Sequence, residues 1–364
     1  QRQMCIRDSL WVMDNHARGA RVRAVPYTCA RFLSSFYPEV RAFLPEWTFS
    51  PECALDYSHT GHFLYECCPK SSATEFFIWK YKTMLDLIPG MKGIYLDFGL
   101  IHECSNKEHG CHESMAILAQ REFYRRLAVA QIEKGIADPV TVIHSTDCVQ
   151  PPAMTFVTHL FNGEHIRQMS STILHDKKDI LDTYGIEMFA SELSTLPWGV
   201  ENSYYMPYDT LLKKNGGDEP TDAYEFRMGM ASIGAGLVHD TVQSLHRNHY
   251  GLFDKVMRIL DGFGAGGRAK FVGYWREPAK VLRGDGVYVS CHTAGDKVLL
   301  VIAHIAKPHV DQDVEIELDL GKLGVKAPLA RAIDLLPADD PEYGWLLSRA
   351  GDKSRHVSMA VLGL

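Results

Sequence analysis

A chain of 364 residues with 46% hydrophobic content is long enough to bury a full core, and its length suits one large domain followed by a small one. Its 38 basic and 45 acidic residues leave a net charge of −7 and form no basic stripe with interleaved aromatics, so nucleic acid is not an expected partner. No run approaches the roughly 20 apolar residues of a membrane-spanning helix, and no glycine-rich nucleotide fingerprint follows a strand, so neither a membrane span nor a cofactor is expected.

Residues 1–9, Gln1 to Ser9, resemble a translated sequencing-adapter run and suit no fold; they are read as an artefact that takes Cys5 with it. On that reading the first barrel strands and any signal peptide lie upstream of the chain, and Val361-Leu-Gly-Leu364 stops mid-strand. The compartment is therefore unknown from the termini, with export the expectation that suits the chemistry below.

Apolar or β-branched runs that end in polar residues predict strands over Arg21–Cys29, Gly93–Gly99, Val140–Asp147, Thr155–Glu164 and Ile186–Glu192. Between them, Ala73 to Leu87 sets Phe77, Tyr81 and Met84, with Ile88 just beyond, on one helical face. Cys67-Cys68 before Pro69 forms the loop leading into that helix, with Ser71 or Ser72 as cap and no chemistry of its own. Ser114 to Gly135 reads as a second helix with a serine cap and a terminal glycine. Arg227 to Asp240 is expected to hold a further helix and strand, and Gly262 to Gly267 is a linker after a helix over Leu252 to Leu260.

Strands alternating with helices imply a parallel sheet, and reactive side chains at successive strand ends imply that those ends converge. The predicted fold is an α/β (β/α)8 TIM-type barrel over residues 10–270, incomplete at its N-terminus. From Gly284 the texture changes to short alternating segments separated by turn residues, which predicts a small all-β sandwich over 284–364.

Glycosidic hydrolysis needs one carboxylic acid to protonate the leaving oxygen and a carboxylate on the opposite face as nucleophile or base. Asp97, delivered by Gly93-Ile-Tyr-Leu into Phe98-Gly99, is the predicted nucleophile or stabiliser, and Glu164 the acid/base. Glu192, in Phe189-Ala-Ser-Glu192, competes for a catalytic place. Tyr27, His102, His144, Asp147 and Trp198 are expected to contact a glycan substrate.

The loop after Asp97 carries His102, Cys104, His109, Cys111 and His112 within a few residues. Two readings stand side by side. Cys104, His109, Cys111 and His112 hold a zinc ion, which takes four nitrogen or sulfur ligands, and would support a metal-dependent hydrolase. Alternatively Cys104 and Cys111 are free thiols or close the loop as a disulfide. A carbohydrate-binding barrel without turnover is the remaining alternative to a hydrolase.

The ordered set Val25-Pro-Tyr27, Cys68-Pro-Lys-Ser71, Gly93-Ile-Tyr-Leu-Asp97, Cys104-Ser-Asn-x-x-His109-Gly-Cys111 and Phe161-Asn-Gly-Glu164 resembles the barrel region of glycoside hydrolase family 123-like proteins, over roughly Val25 to Glu164. The resemblance implies a glycosidase-like barrel followed by a β domain. Characterised members resemble β-N-acetylgalactosaminidases in which the substrate's acetamido group attacks the anomeric carbon, assisted by adjacent Asp and Glu. Here that position reads Asn162-Gly163-Glu164, so the acid/base role carries over to Glu164 and the assisting aspartate has no counterpart.

Overall fold

A computed structural model describes residues 25–29, 31–49, 54–57, 62–88, 90–111, 114–145, 149–163, 185–194, 199–205, 232–244, 250–305, 313–326, 331–336 and 357–363. The chain divides into two compact units, Gln1–Phe161 and Asn162–Leu364.

In the first unit, β1 (Tyr27–Cys29), β5 (Gly93–Asp97), β8 (Val140–His144) and β9 (His159–Asn162) lie side by side in that order, all parallel. Their registers set Cys29 beside Asp97, and His144 beside Phe161, so the strands finish along one edge. Ile94, Leu96, Ile143 and Leu160 are all but fully buried, as expected of parallel strands covered on both faces. Among the described strands β1 is the outer member of this sheet.

Two helices pack on each other, and the second of them lies against the sheet. The first, α2 (Ala73–Leu87), buries Ala73, Ile78 and Tyr81; Phe77 is half-buried and meets Phe123 edge-on at 5.1 Å. The second, α3 (Ile117–Glu133), begins later than the predicted serine cap, because Ser114 belongs to a short strand and Ala116 occupies the cap position. It ends as expected, with Gly135 in the left-handed region at φ 78°. Gln131 is fully buried on this helix yet satisfied: it accepts from the Val140 backbone N–H at 2.9 Å and donates to Thr141 at 3.3 Å, fixing the helix to β8.

A second layer comes from an antiparallel sheet, β2 (Phe32–Ser34), β4 (His62–Glu66) and β3 (Ala54–Tyr57), beside α1 (Pro38–Trp47). Leu33, Val40, Trp47, Cys67 and Ala73 form its core. The loop after Asp97 is tied into a two-residue ladder, with Glu103–Cys104 (β6) antiparallel to Ser114–Met115 (β7).

In the second unit the predicted strand Ile186–Glu192 is instead helical: α4 (Gly185–Met188) runs into a wider π turn over Phe189–Leu193. Ile186, Phe189 and Leu193 are buried at spacings of three and four, which is helical periodicity and not the alternation a half-buried strand requires. Next come a parallel pair, β10 (Glu201–Tyr205) and β11 (Val242–Ser244), with a helical stretch over 232–237 between them, and α5 (Tyr250–Phe263).

The C-terminal strands form a five-stranded antiparallel sheet in the order β12 (Lys270–Val272), β14 (Val287–Ala294), β15 (Lys297–His304), β18 (Val357–Gly363), β17 (Arg331–Asp334). Alternation along β15 sends Leu299, Val301 and Ala303 into a core with Phe189, Leu193, Tyr204 and Val256. Val298 and Leu300 face a pair of strands, β13 (Ala279–Arg283) and β16 (Glu315–Leu318). Both faces of the sheet are thereby covered.

Candidate functional site

Asp97 ends β5, and the next residue leaves the strand sharply: Phe98 adopts φ 54°, unusual for a side chain of its size. Gly99 then passes so close to β8 that an added Cβ would lie 2.7 Å from the Ile143 Cβ, so only glycine fits. Its N–H donates to the His144 carbonyl at 2.9 Å and its carbonyl accepts from the buried Tyr124 hydroxyl at 2.5 Å. The turn that presents Asp97 is thus held from both sides.

Three donors converge on the Asp97 carboxylate. Oδ1 lies 2.9 Å from His144 Nδ1 and accepts from the Phe98 backbone N–H at 2.9 Å, while Oδ2 accepts from the Tyr27 hydroxyl. Burial alone would raise the carboxyl's pKa. The bonds from His144 and Tyr27, the charge of His144 and the Phe98 amide outweigh it and hold Asp97 below the ordinary carboxylate range. Asp97 therefore stays an anion at neutral pH although its side chain is only 18% exposed.

Aromatic rings build the walls. Tyr27 stacks on Tyr95 at 5.3 Å, and Phe161 meets His144 edge-on at 4.9 Å and Tyr95 at 5.7 Å. Two rings also face solvent at this edge, Tyr27 with 57% and Phe98 with 41% of its surface exposed. Burial, then the bond to Asp97, pushes the Tyr27 hydroxyl far above its ordinary range, so it serves as a donor and not as a base. Cys29, beside Asp97 in register, is raised to about 11 by burial and by that carboxylate and remains a thiol.

Of the residues predicted from sequence, Tyr27, Asp97 and His144 are brought together, and His102 stands exposed in the following loop. Glu192 lies in the second unit on the π turn and not at a strand end, which removes the geometric reason for its candidacy. Glu164, Asp147, Trp198 and His112 lie outside the described residues. Asn162 closes β9, buried, its Oδ1 accepting from the Gly163 N–H at 2.7 Å. Sequence reading missed Phe98 and Phe161 as site walls, although both stand within the motifs it used.

A second cluster occupies the loop beyond Asp97. Ligand-type atoms of Cys68, Cys104, His109 and Cys111 all lie within 4.8 Å of one another. Cys68 Sγ is 3.7 Å from Cys111 Sγ, and Cys104 Sγ is 3.2 Å from His109 Nε2. All three cysteines are free, which leaves the Cys104–Cys111 disulfide unformed. Cys68 was the unforeseen member: it is 43 residues before Cys111, and its vicinal neighbour Cys67 points instead at the Tyr65 carbonyl. Burial raises the thiols of Cys68 and Cys104 above their ordinary range.

Neither a comparison with protein-family models nor one with curated proteins finds a match for the chain. Solved structures do match. A maltogenic α-amylase from Thermotoga neapolitana is similar over 98% of this chain and 78% of its own, at 10% identity and a TM-score of 0.54. A debranching enzyme from Nostoc punctiforme is similar over 97% and 78%, at 13% identity and 0.52. The trehalose-6-phosphate hydrolase of Bacillus licheniformis covers 98% and 86%, at 10% and 0.50. These neighbours are glycoside hydrolases, amylase-type barrels with a C-terminal β domain, and at such identities the likeness establishes a glycosidase-like fold and nothing finer.

Proposed function

We propose that the protein is a retaining glycoside hydrolase acting on an exported glycan, with Asp97 as nucleophile or stabiliser of the developing oxocarbenium ion and Glu164 as acid/base. The observation that carries this reading is the Asp97 carboxylate itself: kept ionised by Tyr27, His144 and the Phe98 amide, at the C-terminal end of a parallel strand, on a fold shared with glycosidases.

A nucleophile for this chemistry must be a carboxylate before the sugar arrives and must not be neutralised by burial. The three donors satisfy that requirement. Tyr27 and Phe98 add exposed aromatic faces on which the C–H side of a sugar ring packs. Glu164, the proposed acid, follows Gly163 in sequence directly after β9, the strand that ends at Asn162. His102, Asp147 and Trp198 complete the proposed substrate contacts. The resemblance to family 123-like proteins, a (β/α)8 barrel over 10–270 that is incomplete at its N-terminus and a sandwich over 284–364 belong to the same proposal.

A metal-dependent hydrolase built on the Cys/His loop fits less well. Catalytic zinc keeps one position open for water, whereas here four protein groups converge and the three cysteines are 0–1% exposed.

The test is turnover of aryl glycosides and glycans by the purified protein, with the first-formed anomer read by NMR. Retention of configuration, abolished by Asp97→Asn and by Glu164→Gln in folded protein, is the expected result. Turnover that survives both changes would overturn the assignment, and glycan binding without turnover at any pH would identify a carbohydrate-binding barrel instead.

A further inference from the structure

We propose that Cys68, Cys104, His109 and Cys111 form a closed structural zinc site that fastens the loop following Asp97 to the layer behind it. The inference stands apart from the glycosidase reading and survives its failure.

Geometry supports it first. Tetrahedral zinc with Zn–S near 2.3 Å and Zn–N near 2.0–2.1 Å holds sulfurs about 3.8 Å apart and sulfur about 3.5 Å from nitrogen. The Cys68–Cys111 and Cys104–His109 separations are 3.7 and 3.2 Å, and every pair of the four ligand atoms lies within 4.8 Å. A disulfide would need about 2.05 Å, and the sulfurs are not so joined.

The imidazole supplies an independent observation. His109 Nδ1 lies 2.5 Å from the Glu46 carbonyl oxygen, an acceptor only, so Nδ1 donates there and Nε2 is the nitrogen turned toward the sulfurs. A backbone carbonyl orienting a histidine through its other nitrogen is the usual support of a metal ligand.

The surrounding loop is shaped to hold that arrangement. The Asn106 side-chain amide donates to the carbonyls of Pro45 and Thr48, both at 2.7 Å, and the Asn106 backbone carbonyl accepts from the Cys111 N–H at 3.1 Å. Lys70 donates to the Gly110 carbonyl at 2.8 Å, and the Cys68 N–H donates to the Trp47 carbonyl at 2.8 Å. Phe49, Ile101 and Ala116 close the apolar shell. Zinc binding releases three thiol protons to solvent and leaves three thiolates and one neutral imidazole around the ion, with no position left for water.

The test is metal analysis of protein purified under reducing conditions without chelator, with cobalt substitution as the spectroscopic readout. About one zinc per chain is expected, and the cobalt form should show thiolate charge-transfer bands and the visible spectrum of a tetrahedral site. Cys68→Ser and Cys111→Ser should lose the metal, Cys67→Ser should keep it, and His109→Cys should keep it as a four-sulfur site. Absence of zinc and cobalt binding in the wild type, a disulfide among these cysteines, or full metal retention in Cys68→Ser would overturn the proposal. If a cysteine variant does not fold, the wild-type metal content and cobalt spectrum decide.

Discussion

Each unit of this protein contains a histidine beside an aspartate, and the two pairs behave in opposite ways. His144 and Asp97 are 2.9 Å apart, and the carboxylate there is held below its ordinary range. His292 and Asp240 are 3.9 Å apart; burial lowers His292 to about 4, while burial and the charge of Glu201 raise Asp240. Attraction between opposite charges falls with distance, whereas desolvation acts on each group alone. At hydrogen-bond distance, with Tyr27 and the Phe98 amide assisting, attraction wins and a charged group persists. One ångström farther, with His292 Nδ1 lacking a hydrogen-bond partner among the described residues, desolvation wins and both groups move toward neutrality. A site that needs an anion is built the first way; a core that tolerates a polar ring is built the second.

The sharpest way to break that contrast is to remove the first anion. Asp97→Asn preserves shape and loses the charge, so if the proposed function holds, turnover of a glycoside substrate should fall by about a thousandfold or more while the circular dichroism spectrum is unchanged. A tenfold loss or less, measured as kcat/KM, would place Asp97 among structural carboxylates and dissolve the difference in purpose between the two pairs.

The second pair should show itself in stability and not in turnover. Folded His292 titrates at about 4 against 6.5 for an exposed imidazole, so as pH falls the unfolded chain takes up a proton first. The stability that neutral His292 contributes is complete above pH 6.5 and is lost between 6.5 and 4, a fall of order 3 kcal/mol by denaturant titration. His292→Leu should flatten that part of the profile. An unchanged slope in the variant would show that His292 is not the group responsible.

How far these features can be read from the chain follows from how local they are. Gly93 to Asp97 announced a strand delivering a carboxylate because pattern, turn glycine and acid are contiguous, and the structure places Asp97 at a parallel strand end. Tyr27 and His144 were legible as strand-end polar residues, but that both would bind one carboxylate depends on the register of β1, β5 and β8, which no local pattern encodes. Ile186 to Glu192 misled because a short apolar run fits strand and helix alike, and only burial at Ile186, Phe189 and Leu193 separates them. Cys68 escaped notice for the reason that makes it informative. Its partners come from another loop, and its own neighbourhood, Cys67-Cys68-Pro69, carries the turn signals of a helix start.

The donors around Asp97 offer a finer probe. His144→Ala and Tyr27→Phe each remove a bond that lowers the carboxyl's pKa, so in either variant that pKa rises. If turnover requires ionised Asp97, the acidic limb of the kcat/KM profile moves to higher pH, and the rate on the plateau falls about tenfold to a hundredfold through lost positioning. A plateau loss without movement of the limb would mean that these residues shape the cleft but do not hold the charge.

Asp240→Asn should produce the smallest effect of all. Asp240 is 3.9 Å from His292, beyond a hydrogen bond, and its side chain is 46% exposed, so removing its charge should change stability at pH 7 by less than about 0.5 kcal/mol. The pH slope assigned to His292 should persist in this variant, because that slope comes from burial of the ring and not from the carboxylate beside it. If Asp240→Asn instead erased the slope, the second pair would be charge-coupled after all, and the extra ångström would not be what separates it from Asp97 and His144.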